Sequence, residues 1–170
     1  SSTQPAAASV DTEEPAATTQ AASTAEATAS STEAVADTAA STTIKDGTLM
    51  VGVEIGYPPM EYFDPDGATP IGFDVEVANA LADYLGLELE LVDTSWDGIF
   101  AGVDTGKYDC IISCVSITDE RKEQFNLTKP YVSNHTVLIV PNDSEIDSME
   151  ALSGHSTAVQ AETTADDYMK

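Results

Sequence analysis

Apolar positions along this chain recur with two periods, and the alternation between them marks out its elements. In Thr48–Glu54, TLMVGVE, Leu49, Val51 and Val53 fall on one face and Met50 makes the other apolar, which predicts a strand. Ile55, Gly56, Tyr57, Pro58 and Pro59 follow; the double proline ends any ladder and stiffens a loop that can hold Tyr57 over a crevice. Beyond it, Asp64-Pro65-Asp66-Gly67 is a strong turn signal between two apolar arms, predicting a small hairpin. From Asp74 to Leu85 the period changes: Val75, Ala78, Leu81, Ala82 and Leu85 recur at three and four, Asp74 stands at the start and Gly86 is the stop. Leu87–Asp93 returns to alternation, a half-buried strand toward one edge of a sheet. Trp96–Thr105 is a second helix, with Trp96, Ile99, Phe100 and Val103 on one face and Gly106 closing it. Tyr108–Ser113 opens on a polar edge and then packs Cys110, Ile111 and Ile112, as expected of a strand buried on both faces of a parallel sheet.

Strand, helix, strand, helix, strand at these lengths predicts an α/β fold with a parallel sheet and right-handed crossovers. In such sheets ligands sit in the crevice beyond the carboxyl ends of the strands. Those ends carry Glu54 with Tyr57, then Ser95 with Trp96, then Ser113 with Ser116 and Arg121. An acid, two aromatics, hydroxyls and an arginine suit a zwitterion with an organic side chain. Tyr57 and Trp96 also fit as core aromatics, and both readings stay open on the pattern alone.

Arg121 is the only arginine beside thirty acidic residues. If Thr118 caps the short helix that follows, Arg121 lies in its first turn, where the macrodipole disfavours a cation. A ligand carboxylate held by the guanidinium fork would offset this; pairing with Asp119, Glu123 or another local acid is the alternative.

After Phe125–Tyr131, the pattern predicts a strand over Thr136–Val140, a short helix over Ser148–Leu152 stopped by Gly154, and a strand over Ser156–Gln160. A further helix begins in Thr163–Lys170, with Thr163 as candidate cap and Asp166 and Asp167 in the first turn.

Composition changes the picture at the two ends. Residues 1–43 hold 31 Ala, Ser or Thr and six acids, with no aromatic, Lys or Arg, which predicts a disordered tether. The remaining 127 residues carry 24 acids and 6 bases, a net charge of −18 that argues against nucleic acid or an anionic membrane surface as partner. No apolar run approaches the ~20 residues that span a bilayer. A chain opening on Ser1 with such a tether suits a processed protein displayed outside a membrane, with a signal peptide and lipidated cysteine lost ahead of it. Cys110 and Cys114 lie ~13 Å apart on an extended strand, beyond disulfide reach unless the chain turns sharply after Ser113, and are expected as small buried hydrophobes. With only His135 and His155 besides, no clustered metal ligands emerge, and no cofactor motif does either.

The stretches VGVEIGYPPMEYFD, IGFDVEVANALADYLG, WDGIFAGVDTGKYDCIISCVSITDERKEQFNLTKPY and LSGHSTAVQAETTADDY resemble, in order and spacing, the periplasmic-type amino-acid-binding proteins of ABC importers, solute-binding protein family 3. The resemblance implies two α/β lobes joined by a hinge, closing on ligand: a periplasmic-binding-protein-like lobe 1 over residues 44–131, then a first hinge strand and the start of lobe 2 over 132–170. It implies that Arg121 clamps the ligand carboxylate, helped by backbone amides after Ser113 and at Ser116, and by Thr164 at the start of the last helix. Tyr57 and Trp96 would wall the side chain and Glu54 would be a polar contact to the ligand's amine or side-chain group. Three departures stand out: Cys114 where a small residue is usual, Glu162 where glycine is common, and the rest of a second lobe that would supply an acid for the ligand's ammonium. Without it the chain is expected not to close on ligand, and Val140–Lys170 to pack poorly.

The function expected on this basis is extracytoplasmic binding of an amino-acid-like solute for delivery to a transporter permease, without catalysis. A sensory module on the same fold, or an enzyme resembling cyclohexadienyl dehydratase, are the alternatives; for the enzyme, Glu54 is the one obvious acid-base candidate.

Overall fold

The computed structural model describes residues 42–170, so all but the last two residues of the expected tether lie outside it. Its organising strand is β1 (Thr48–Val53). A hairpin of β2 (Tyr62–Phe63) and β3 (Pro70–Ile71) leads to helix α1 (Phe73–Leu85), followed by β4 (Glu88–Asp93), helix α2 (Trp96–Asp104) and β5 (Cys110–Ile111). The sheet order is β4-β1-β5, with both neighbours parallel to β1. Parallel neighbours cannot be joined by tight turns, so each crossover takes a helix. β4 is an edge strand, as its alternating pattern predicts.

The pleat of β1 divides the core in two. Leu49 and Val51 pack with Ala78 and Ala82 of α1, Leu87 and Ile112, while Met50 turns to the other face beside Trp96 and Ile99 of α2 and Tyr108. Tyr108 corrects the sequence reading: it is no polar edge but 1% exposed, its hydroxyl donating to the Ile99 carbonyl. The next residue, Asp109, does the work of an edge, its carboxylate accepting from the Ile44 and Met50 amides at 2.7 and 2.8 Å.

A second correction concerns Asp74. The helix begins one residue earlier, at Phe73, with Gly72 as its cap, and the Asp74 side chain makes no capping bond. After β5 comes α3 (Asp119–Gln124), capped by Thr118, whose hydroxyl accepts from the Arg121 amide. Downstream, a 3-10 turn spans Glu150–Leu152 in place of the expected helix, and α4 (Thr164–Tyr168) starts after the Thr163 cap. The strands predicted over Thr136–Val140 and Ser156–Gln160 do not form. Val137 and Ile139 are 71% and 88% exposed; an apolar run becomes a strand only where another strand takes up its backbone groups, and none of the described strands lies beside these.

Candidate functional site

The three strand ends and the 134–165 stretch surround a cavity of about 350 Å³, lined among others by Glu54, Tyr57, Glu61, Trp96, Ser113, Cys114, Ser116, Arg121, Gln160, Thr163 and Thr164. Glu54, Tyr57, Trp96, Ser113, Cys114, Ser116, Arg121, Thr163 and Thr164 are on this wall, and Ser95 is not among its lining residues. A larger hollow of about 890 Å³ lies along the free side of β5, between Phe100, Val103 and the 124–134 segment.

Arg121 is placed by the Thr118 cap, which fixes its amide at 3.1 Å. Its guanidinium carbon lies 5.4 Å from the Trp96 ring centre and 5.0 Å from that of Phe100, within cation–π range. The two rings meet edge to face at 5.4 Å, which holds the platform rigid. Two guanidinium nitrogens donate to the carbonyls of Ser116 at 3.0 Å and Glu162 at 3.1 Å. Burial lowers the Arg121 pKa, while the charges of Asp167 and Glu120 oppose that change. No ion pair holds this arginine to a local acid among the described residues.

Trp96 is core and rim at once: 9% exposed, it lines the cavity, and its indole nitrogen is buried without a partner. Tyr57, at 53% exposure, belongs to the rim alone. Glu54 accepts from the Trp96 amide at 2.9 Å, a carboxylate at the amino end of α2 where the helix dipole favours it. The Gln160 side-chain amide reaches both Glu54 oxygens, at 3.1 and 3.0 Å, so the chain beyond residue 131 touches the site at two points: Gln160 on Glu54, and Glu162 on Arg121.

Glu162 has φ 62° and Cys114 φ 48°, both in the left-handed region that favours glycine. A glycine at position 162, as the resemblance leads one to expect, would meet this conformation without strain. The Thr163 hydroxyl accepts from the Asp166 amide at 3.2 Å, and Asp166 in turn accepts from the Glu162 amide at 3.0 Å, so an acid already occupies the amino end of α4 near Thr164.

Two acids that the sequence pattern did not single out as site residues are buried here, Glu61 at the wall and Asp74 behind it. Glu61 and Asp74 are each 1% exposed. Ser113 donates its hydroxyl proton to Glu61 at 2.7 Å and accepts from the Glu54 amide at 3.1 Å; Asp74 accepts from the Cys114 amide at 2.5 Å. The amide after Ser113, expected to face the ligand, is thus directed at Asp74. The available signal was an acid with apolar residues on both sides, Met60-Glu61-Tyr62 and Phe73-Asp74-Val75.

Glu61, Asp74 and Cys114 bring carboxylate oxygens and a sulfur within 4.8 Å of one another, the geometry in which a cation could sit. Burial, with the Asp74 and Glu61 charges, pushes the Cys114 thiol up to about 12. Both cysteines are free, and each is half-buried rather than the buried hydrophobe expected.

Comparison with known proteins agrees with this architecture. The family model for bacterial extracellular solute-binding proteins, family 3, matches residues 49–167. The L-cystine-binding protein TcyJ of Escherichia coli K12 is 35% identical over 138 residues, 79% of this chain and 52% of that protein. An L-arginine-binding protein of Pseudomonas aeruginosa is 31% identical over 128 residues, 75% of this chain and 49% of the other. Among solved structures, a mutant of ArgBP from T. maritima superposes with a TM-score of 0.70 at 38% identity, covering 79% of this chain and 57% of that one. The chain spans about half the length of the curated relatives it matches. On the family match, it belongs to the bacterial extracellular solute-binding proteins of family 3.

Proposed function

We propose that this chain binds an amino acid outside the cytoplasm, for delivery to an ABC importer, and that Arg121 takes the ligand carboxylate. The observation that carries the reading is Arg121 itself: a guanidinium on a Trp96–Phe100 platform, facing a cavity at the carboxyl end of a parallel sheet, held by backbone carbonyls and, among the described residues, by no acid. Backbone carbonyls are neutral acceptors, so the positive charge is left to be balanced, and a carboxylate exchanging with the Glu162 carbonyl would do so with a fork-shaped pair of bonds. Tyr57 and Trp96 bracket space for a side chain, and Glu54, reached by Gln160, is the acceptor for a ligand amine.

The relatives bear names for L-cystine, L-arginine and histidine binding, all amino acids with a polar or cationic end. Glu54 favours the same class here. In this reading 44–131 is the first lobe, 132–170 the hinge entry and the opening of the second, and residues 1–43 a tether to a lipid anchor. Calorimetric titration of L-arginine, L-histidine and L-cystine into this chain tests it. One of them binds, and Arg121→Ala weakens it at least tenfold, the scale of about 1.5–3 kcal/mol for a hydrogen bond to a charged group. Equal binding by the variant overturns the assignment of Arg121; consumption of a cyclic acid would favour the enzymatic alternative.

A further inference from the structure

Behind the ligand-facing wall, Glu61 from the start of the hairpin and Asp74 from the first turn of α1 meet at the turn after β5. Each is almost wholly buried, and each has one oxygen in a conventional bond: Glu61 Oε1 accepts from Ser113, Asp74 Oδ2 from the Cys114 amide. The other oxygen of each, Glu61 Oε2 and Asp74 Oδ1, has no donor. Two buried carboxylates with two orphan acceptors are badly solvated and mutually repulsive. One proton placed between the orphan oxygens removes both faults, turning an acceptor into a donor and two charges into one.

We propose that Glu61 and Asp74 share a single proton across their unpartnered oxygens, and that this pair is the positioning device for the Ser113–Cys114 turn that forms the back of the binding site. Both of its outer contacts end on that turn. Ser113 carries the link on to the Glu54 amide, and Cys114 needs it, because its φ of 48° is a backbone conformation that non-glycine residues rarely keep without external hold. The Tyr131 hydroxyl faces Asp74 from the far end of the same stretch, so the pair also reaches the start of the 132–170 segment. The ligand-site role rests on the function proposed above; the shared proton does not.

Burial raises both members of the pair, against the hydrogen bonds that each accepts. On Glu61, burial comes first, then the charges of Asp74 and Glu54, and together they push the carboxyl up to about 7 against the Ser113 hydrogen bond. Burial also raises Asp74, opposed by the Cys114 amide and the Tyr131 hydroxyl. The Cys114 thiol and Tyr131 phenol, both raised, stay neutral beside them. Asp74 accepts from a backbone amide, that of Cys114, and is therefore the carboxylate; Glu61, whose outside partner is the Ser113 hydroxyl, carries the proton.

The sign follows. A carboxyl whose folded pKa lies above its unfolded value contributes stability that is complete below the unfolded value near 4.5 and is lost as pH rises through about 7. Glu61→Gln supplies a permanent neutral donor of the same shape, its amide facing Asp74 and its carbonyl accepting from Ser113. Urea denaturation of this chain between pH 5 and pH 8.5 is the test, paired with carbon-13 carboxyl NMR on glutamate-labelled protein. We expect one glutamate resonance to titrate near neutrality and vanish in Glu61→Gln. We expect wild type to lose stability as pH rises while Glu61→Gln stays level and is the more stable of the two at pH 8.5; Glu61→Ala, which fills neither role, is weaker throughout. Parallel profiles of wild type and Glu61→Gln, or no glutamate titrating above the ordinary range, overturn the proposal. So does zinc or manganese raising the melting temperature of wild type but not of Glu61→Gln, which would put a metal where the proton is assigned. Titration of L-arginine, L-histidine and L-cystine at pH 6 and pH 8.5 completes the test. Weaker binding at pH 8.5 in wild type alone supports the positioning role, and an affinity independent of pH overturns that role while leaving the shared proton to the NMR result.

Discussion

Gly102 shows how much one missing Cβ decides. It lies on α2 against the Tyr108 ring, as Gly52 of β1 does from the opposite side, and a Cβ at either would overlap that ring. Tyr108 is therefore clamped between two glycines and cannot yield. Gly102→Ala gains about 1 kcal/mol of helix propensity, but overpacking of this kind costs about 1–3 kcal/mol. We expect net destabilisation in urea denaturation. Because the overlap is deepest at the phenol oxygen, Tyr108→Phe should relieve part of it, and the double variant should be less destabilised than the sum of the singles. Glu162 is the converse case: a side chain where φ of 62° suits glycine. Glu162→Gly should relieve about 1 kcal/mol of backbone strain, read as slower amide exchange in α4.

At the level of elements, the two short helices depend on their caps more than on burial, since neither α3 nor α4 has a buried residue. Thr118→Ala removes the acceptor for the Arg121 amide and should cost about 1 kcal/mol of local stability. Its effect should reach the site, because the same residue's guanidinium faces the cavity: faster exchange at the Arg121 amide together with weaker amino-acid binding is the expected pair of results. If exchange accelerates while affinity is unchanged, Arg121 is held by its aromatic platform alone. Both caps were legible as a threonine before an acidic first turn. Glu61 and Asp74 were not, because apolar neighbours on both sides of an acid do not say which group it will face; they are brought together only when the hairpin folds over α1.

Across the whole molecule, the segment beyond residue 131 is joined to the core by few polar contacts, of which Gln160 on Glu54 and Glu162 on Arg121 reach the binding cavity. Exposed hydrogen bonds of this kind are individually weak. Removing both side chains, in Arg121→Ala with Gln160→Ala, should leave the melting of the three-stranded core unchanged. The same variant should enlarge the radius of gyration by small-angle scattering and speed proteolysis within 141–170. An unaltered scattering profile would show that the exposed apolar contacts of this segment, rather than the two polar links, hold it.

By itself the sequence determined what depends on local spacing: the parallel order of strands and helices, the edge position of β4, the two caps, and the strand ends that form one side of the cavity. Periodicity of 2 and 3.6 carries that information because side-chain direction is dictated by the backbone that bears it. The tertiary structure decided what depends on partners distant in the chain. It left Thr136–Val140 and Ser156–Gln160 without strand neighbours, buried Tyr108 between two glycines, turned the Cys114 amide to Asp74, and set Glu61 against Asp74 so that one proton must satisfy two carboxyl groups. An apolar run does not state which strand will pair with it, nor an acid which charge it will face; only the folded chain supplies the neighbour.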